Sequence, residues 1–96
     1  MQLTVVPLGT DSTSACDFVV DFQKALSATN LSFTLTDMAT IIEGDTADLL
    51  ALAARIHELP YQKGVQRVLT TITIDDRRDK KVRLGDKIKS VQDKLA

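Results

Sequence analysis

Residues 31 to 44 read LSFTLTDMATIIEG. Leu31, Phe33 and Leu35 alternate with Ser32, Thr34 and Thr36, the period of two that sends successive side chains to opposite faces of a strand. A second short strand, Thr40 to Glu43, follows after only Asp37-Met38-Ala39, so the two runs read as a hairpin. One face of that hairpin is apolar and the other carries hydroxyls. The chain is therefore expected to build a sheet with one buried side.

Working outward, Gln2 to Leu8 is a short apolar strand rich in β-branched residues and closed by Pro7 and Gly9. The period then changes: Ala15, Phe18, Val19, Phe22, Ala25 and Leu26 share a helical face, Ser14 and Asp17 have the spacing of a capping box, and the helix should end near Thr29-Asn30. On the other side of the hairpin, Gly44-Asp45-Thr46 opens a second helix with Asp45 or Thr46 as cap and Leu49, Leu52, Ala53 and Ile56 on its buried stripe. Pro60 should kink or end it before Gly64 stops the last turn.

Arg67 to Asp75 alternates again, Val68, Thr70, Ile72 and Ile74 against Leu69, Thr71, Thr73 and Asp75. A last helix carries Leu84, Ile88, Val91 and Leu95 as a narrow stripe suited to docking on the domain or on a neighbour. The order β-α-β-β-α-β plus a helix is the α+β, ferredoxin-like split βαβ arrangement: a four-stranded antiparallel sheet, two helices on one face and an extra C-terminal helix. Residues 1–96 are expected to form one domain. The uncovered face would carry Ser32, Thr34, Thr36, Thr71 and Thr73, a surface to be solvated, stacked on another subunit or used to hold a small ligand.

Composition narrows the function. A chain of 96 residues buries only about two-thirds of the surface its unfolded form exposes, so a partner subunit would supplement its core. No apolar run reaches the roughly 18 residues of a membrane span, and MQLTVVPLG lacks the basic region and cleavage site of a signal peptide, so a cytoplasmic protein with no membrane partner is expected. One cysteine, Cys16, and one histidine, His57, can make neither an intrachain disulfide nor a zinc cluster; no metal and no cofactor are expected.

The net charge of −1 hides an asymmetry. Residues 77 to 94 hold eight basic side chains against three acids, about +5, and the remainder sums to about −6, so the chain can bind nucleic acid through its basic end or equally pair with the acidic part of another copy of itself. The block DDRRDKK at 75–81 interleaves acids and bases. That is unlike a glycine-rich phosphate cradle or a basic stripe with aromatic stacking, and it reads as a strand exit whose charges pair within and between subunits. No tryptophan is present and threonines stand where an RNA-binding sheet would expose aromatics, so no nucleic-acid partner is expected.

Three stretches, VPLGTDSTS at 6–14, MATIIEGD at 38–45 and RVLTTITIDDRRDK at 67–80, together resemble the small ferredoxin-like thiamine-binding family, long catalogued as uncharacterised. H-E-x-x-x-x-K-G at 57–64 and KIKSV at 87–91 fit as well, and the likeness runs in order through nearly the whole chain. It implies a non-enzymatic domain that forms a homodimer or homotetramer and binds thiamine or its hydroxymethylpyrimidine moiety. Two positions depart from the family pattern: Cys16 replaces a usual serine, and Ala39 replaces a loop glycine, which implies a turn that either does not demand positive φ or adopts it at a cost.

With that resemblance, Glu43 is the leading ligand candidate: a carboxylate can pair with a ring nitrogen of an aminopyrimidine while Thr36 or Thr40 accepts from its exocyclic amine. Its bland alternative is to cap the second helix or face water. Ser14 and Cys16, at the start of the first helix, could hold a polar ligand edge on free backbone N–H groups, although capping alone accounts for Ser14. Met38 either lies against a pyrimidine through its sulfur or fills a gap in the hairpin. Thr71 and Asp75, on the threonine side, complete the candidate ligand-binding set, and His57-Glu58 reads as a surface pair. The alternative function is a structural or regulatory interaction module whose open face only buries against a second subunit. Fold alone licenses neither.

Overall fold

The computed structural model describes residues 1–9 and 15–96, with side chains of the first helix from residue 17 onward. Its elements follow the expected order: β1 (Gln2–Leu8), α1 (Ala15–Ser27), β2 (Ser32–Leu35), β3 (Thr40–Glu43), α2 (Thr46–Glu58), a 3₁₀ turn (Pro60–Lys63), β4 (Arg67–Thr73) and α3 (Asp86–Leu95). The four strands form one antiparallel sheet in the order β2-β3-β1-β4.

Register decides which side chains are inside. Leu3 of β1 lies between Thr40 of β3 and Ile72 of β4, and Phe33 of β2 lies opposite Ile42. Leu3 and Ile42 are almost completely buried against Phe22 and Leu26 of α1 and Leu49, Leu52, Ala53 and Ile56 of α2. Both helices thus cover the face bearing Leu3, Phe33, Thr40, Ile42 and Ile72. By the alternation of the pleat, Thr4, Val6, Thr34, Ile41, Glu43, Leu69, Thr71 and Thr73 point to the other side.

That reverse face is less purely hydroxylic than expected, because β1 adds Val6 and β4 adds Leu69, both exposed. Neighbours on an antiparallel face meet directly, so these side chains form an apolar patch beside the threonines.

Helix ends are closed by local chemistry. The Thr29 hydroxyl donates to the Leu26 carbonyl and accepts the Leu31 N–H, turning the chain out of α1 into β2 without a glycine. In the hairpin, the Thr36 hydroxyl donates to the Ala39 carbonyl at 2.7 Å and accepts the Ala39 N–H at 3.1 Å. No non-glycine residue there has positive φ, consistent with alanine at 39. Asp45 is the N-cap of α2 but its side chain makes no capping bond, and the Thr46 hydroxyl instead donates to Asp76 at 3.4 Å. The capping box expected from Ser14 lies outside the described residues. Pro60 ends α2 and opens the 3₁₀ turn, and Gly64 closes it at φ +85°, where a Cβ would be strained.

β4 stops at Thr73, two residues short of the expected end, because its partner β1 runs out: Thr73 faces Gln2, the first residue of that strand. Beyond it the chain leaves the sheet. From Asp75 to Ala96 every residue except Leu84 is exposed, and α3 buries none of its side chains. The radius of gyration, 15.1 Å, exceeds the roughly 12.5 Å of a compact chain of this length, as a projecting C-terminal arm requires.

The two faces carry different energetic weight. Leu26→Ala, which empties a fully buried position, should cost about 2–5 kcal/mol in urea denaturation. Leu69→Ala on the open face, measured at dilutions that separate subunits, should cost less than about 1 kcal/mol. Equal losses would mean that the faces are assigned the wrong way round.

Candidate functional site

Glu43 is the last residue of β3, and burial of Ile42 on the helix side forces its side chain to the reverse. There it is 29% exposed and does not cap α2. Its Oε1 accepts the backbone N–H of Leu84 at 3.2 Å and lies 3.9 Å from the Arg83 Nε. A carboxylate accepting one amide retains lone pairs for a further donor, so Glu43 is both held in place and chemically available.

The strand exit runs past the same end of the sheet. Asp76 accepts Arg78 Nη2 at 2.8 Å and Nε at 3.1 Å, and Arg77 Nε donates to Asp79 at 2.8 Å. The hydrogen bond from Arg78 holds the Asp76 carboxyl below the usual carboxylate range, and that from Arg77 does the same for Asp79. These paired acids and bases neutralise each other in sequence-adjacent couples, as their interleaving suggested. Asp75 lies beyond the last paired residue of β4 and is exposed, so the pleat does not place it among the threonines.

The other candidates are dispersed. Thr71 stands on the open face opposite Thr4. Strand spacing and rise place it about 10 Å across and about 13 Å along the sheet from Glu43. Thr40 lies on the helix side, 4% exposed, where its hydroxyl accepts Gln23 Nε2 at 3.2 Å. It cannot turn to the same surface as Glu43 without moving β3 by one residue. The Thr36 hydroxyl is engaged in the hairpin turn, and Met38, 87% exposed at the tip, fills no gap in the subunit. Cys16 lies in the first turn of α1, which the chain enters from the Leu8 end of β1, away from Glu43. Ser14 lies outside the described residues. The structure thus brings Glu43 together with the 76–84 segment, and groups Thr36 and Met38 away from that end.

His57 is the residue that sequence reasoning misjudged. It is half-buried, with Nδ1 2.6 Å from the Thr70 hydroxyl and its ring edge-on to Tyr61 at 5.6 Å between centroids. It ties α2 to β4 on the helix side. The signal was its position one turn after buried Ala53.

Two depressions lie in the helix layer: a small apolar one of about 20 Å³ under Val5, Phe22 and Ile56, and a wider one of about 310 Å³ bordered by Ala25, Leu52, Arg55 and Glu58. Neither includes Glu43 or a threonine. Among the described residues no three His, Cys, Asp or Glu side chains converge as a metal site, and no helix is long and apolar enough to cross a membrane.

Comparison with known proteins places this geometry in a family. The chain is 46% identical to the UPF0045 protein YqgV of Bacillus subtilis, covering 98% of this chain and 94% of that protein. It is 42% identical to a UPF0045 protein of Methanothermobacter thermautotrophicus, over 98% and 96% of the two chains. The crystal structure of the hypothetical protein MJ1052 of Methanocaldococcus jannaschii superposes with a TM-score of 0.82 at 25% identity, over 95% of this chain and 92% of that one. A family model described as thiamine-binding protein matches residues 1–92, and the chain belongs to that family.

Proposed function

We propose that residues 1–96 act as one binding domain that holds thiamine, or its hydroxymethylpyrimidine moiety, without transforming it. The observation that carries this reading is Glu43: a half-buried carboxylate at the open end of β3, in a chain of the thiamine-binding family. Its free lone pairs suit the exocyclic amine of an aminopyrimidine, or a ring nitrogen that carries a proton. Exclusion of water would then strengthen the pairing. Thr71 and Asp75 supply further polar contacts along and beside the open face.

A second copy of the chain completes the site in this reading. Sites for small molecules bury most of the ligand, whereas the open face of one subunit leaves Thr71, Thr73 and Leu69 in water. Two further features favour self-association into a dimer or tetramer: the exposed Val6–Leu69 patch and the uncovered α3 stripe of Ile88, Val91 and Leu95. In a two-fold pair with antiparallel sheets, the Glu43 end of one copy meets the end of the other that carries Thr36, Met38 and the first turn of α1 with Cys16. Residues that one subunit keeps apart are thereby joined. Thr40 contributes from behind, fixing the strand through Gln23. A lone cysteine suits a cytoplasmic location. No nucleic-acid partner is part of this reading, because arginines of the basic segment are already paired with neighbouring acids.

Isothermal titration with thiamine and with hydroxymethylpyrimidine tests the ligand. Binding is expected, and Glu43→Ala should weaken it about 10- to 100-fold, the loss of one charge-assisted hydrogen bond. No heat at millimolar ligand, or an unchanged affinity in the variant, would end the proposal. Light scattering tests the assembly: the wild-type chain should be a dimer or larger, and Ile88→Asp with Val91→Asp should reduce it. An oligomer with no ligand heat supports the interaction-module alternative, and a strict monomer contradicts both.

A further inference from the structure

The C-terminal arm and the proposed ligand converge on one group. Among the described residues, Leu84 is the one between Asp75 and Ala96 that is partly buried, and its N–H donates to Glu43 Oε1 at 3.2 Å. Arg83 stands 3.9 Å from the same oxygen. The turn holding both is rigid: the Arg83 N–H donates to Asp86 Oδ2 at 2.7 Å, the Asp86 N–H to the Arg83 carbonyl at 3.0 Å, and Gly85 adopts φ +93°. α3 begins immediately after this turn and buries nothing. The contact at Glu43 therefore sets the direction in which α3 leaves the body.

We propose that Glu43 is a clasp shared in turn by the arm and the ligand, so that thiamine binding releases the Arg83–Leu84 turn and reorients α3. This inference rests on the ligand reading above and gives that site its regulation. The Leu84 amide takes Oε1, and the Arg83 guanidinium flanks the approach to the carboxylate. Thiamine carries a fixed positive charge on its thiazolium ring, so a molecule bound at Glu43 and the neighbouring Arg83 repel one another. A neutral pyrimidine suffers no such repulsion. The exchange is easy in either direction because the Arg83 side chain is 69% accessible, and an ion pair with so exposed a partner contributes little. An arm so weakly held responds to a modest ligand affinity, and it carries the stripe on which self-association depends.

Amide hydrogen exchange at Leu84, read by NMR, tests the clasp alongside titration calorimetry of the wild-type chain, Arg83→Ala and Glu43→Ala. Saturating thiamine should accelerate Leu84 exchange. Arg83→Ala should tighten thiamine by up to about fivefold and leave hydroxymethylpyrimidine nearly unchanged. Glu43→Ala should accelerate Leu84 exchange without any ligand. Thiamine binding that depends on Glu43 while Leu84 exchange and the Arg83→Ala affinity stay unchanged overturns the clasp alone. Absence of heat with either ligand in both the wild-type chain and Arg83→Ala overturns the ligand reading and the exchange with it, and the Glu43→Ala exchange rate then still shows whether the arm is clasped.

Discussion

Burial of Leu3 and Ile42 beneath the two helices is the constraint from which the rest of the molecule follows. Those two side chains are among the few that are excluded from water almost entirely, and they sit on adjacent central strands. Once they point inward, the pleat leaves no freedom: Thr4, Ile41, Glu43 and Thr71 must point outward. Slippage of β3 by one residue would bury a carboxylate and expose an isoleucine. Desolvating an unpaired charge costs far more than any local turn preference could recover. The position of Glu43 is thus fixed by hydrophobic burial elsewhere.

The same constraint explains why the open face is an unfinished surface. A sheet covered on one side can leave its other side in water if that side is polar, and here it is only partly so. Val6 and Leu69 stand among the threonines, and a further apolar stripe lies along α3, detached from the body. A chain this short has little surplus core with which to tolerate such exposure. The proposed assembly and ligand both answer that need: a second copy would supply the apolar contact, and a flat ring with hydrogen-bonding edges would suit a surface of hydroxyls with one carboxylate at its end.

Much of this could be seen in the sequence, and the failures have physical causes. The hairpin was legible because alternation in 31–36, the turn and the TIIE run agree, and β3 has the expected bounds. The end of β4 was not, since Ile74 and Asp75 continue the alternation while pairing depends on where β1 begins. Thr40 is a ligand candidate in the sequence because it is a hydroxyl close to Glu43, but Ile41 and Ile42 are both apolar, so local sequence cannot set the phase of β3. The cross-strand partner Leu3 sets it. His57 looked like surface because its neighbours on either side in the chain do not reveal a partner on β4. Glu43 does close β3, as its place in the sequence suggests, and its ligand role belongs to the proposal. Its bond to Leu84 was invisible, because it joins residues 41 positions apart through an irregular segment. The stripe on α3 was plain from its spacing, whereas what covers it is a property of another surface.

The proposal that Glu43 holds the ligand makes a definite structural statement: the pyrimidine would meet the sheet on the side away from the helices, where the Glu43 side chain points. A crystal structure grown with thiamine measures this directly. The account predicts density for the pyrimidine ring within hydrogen-bonding distance of the Glu43 carboxylate, on the Thr71 side of the sheet. Density for the ligand between α1 and α2, or with its ring remote from Glu43, would contradict it.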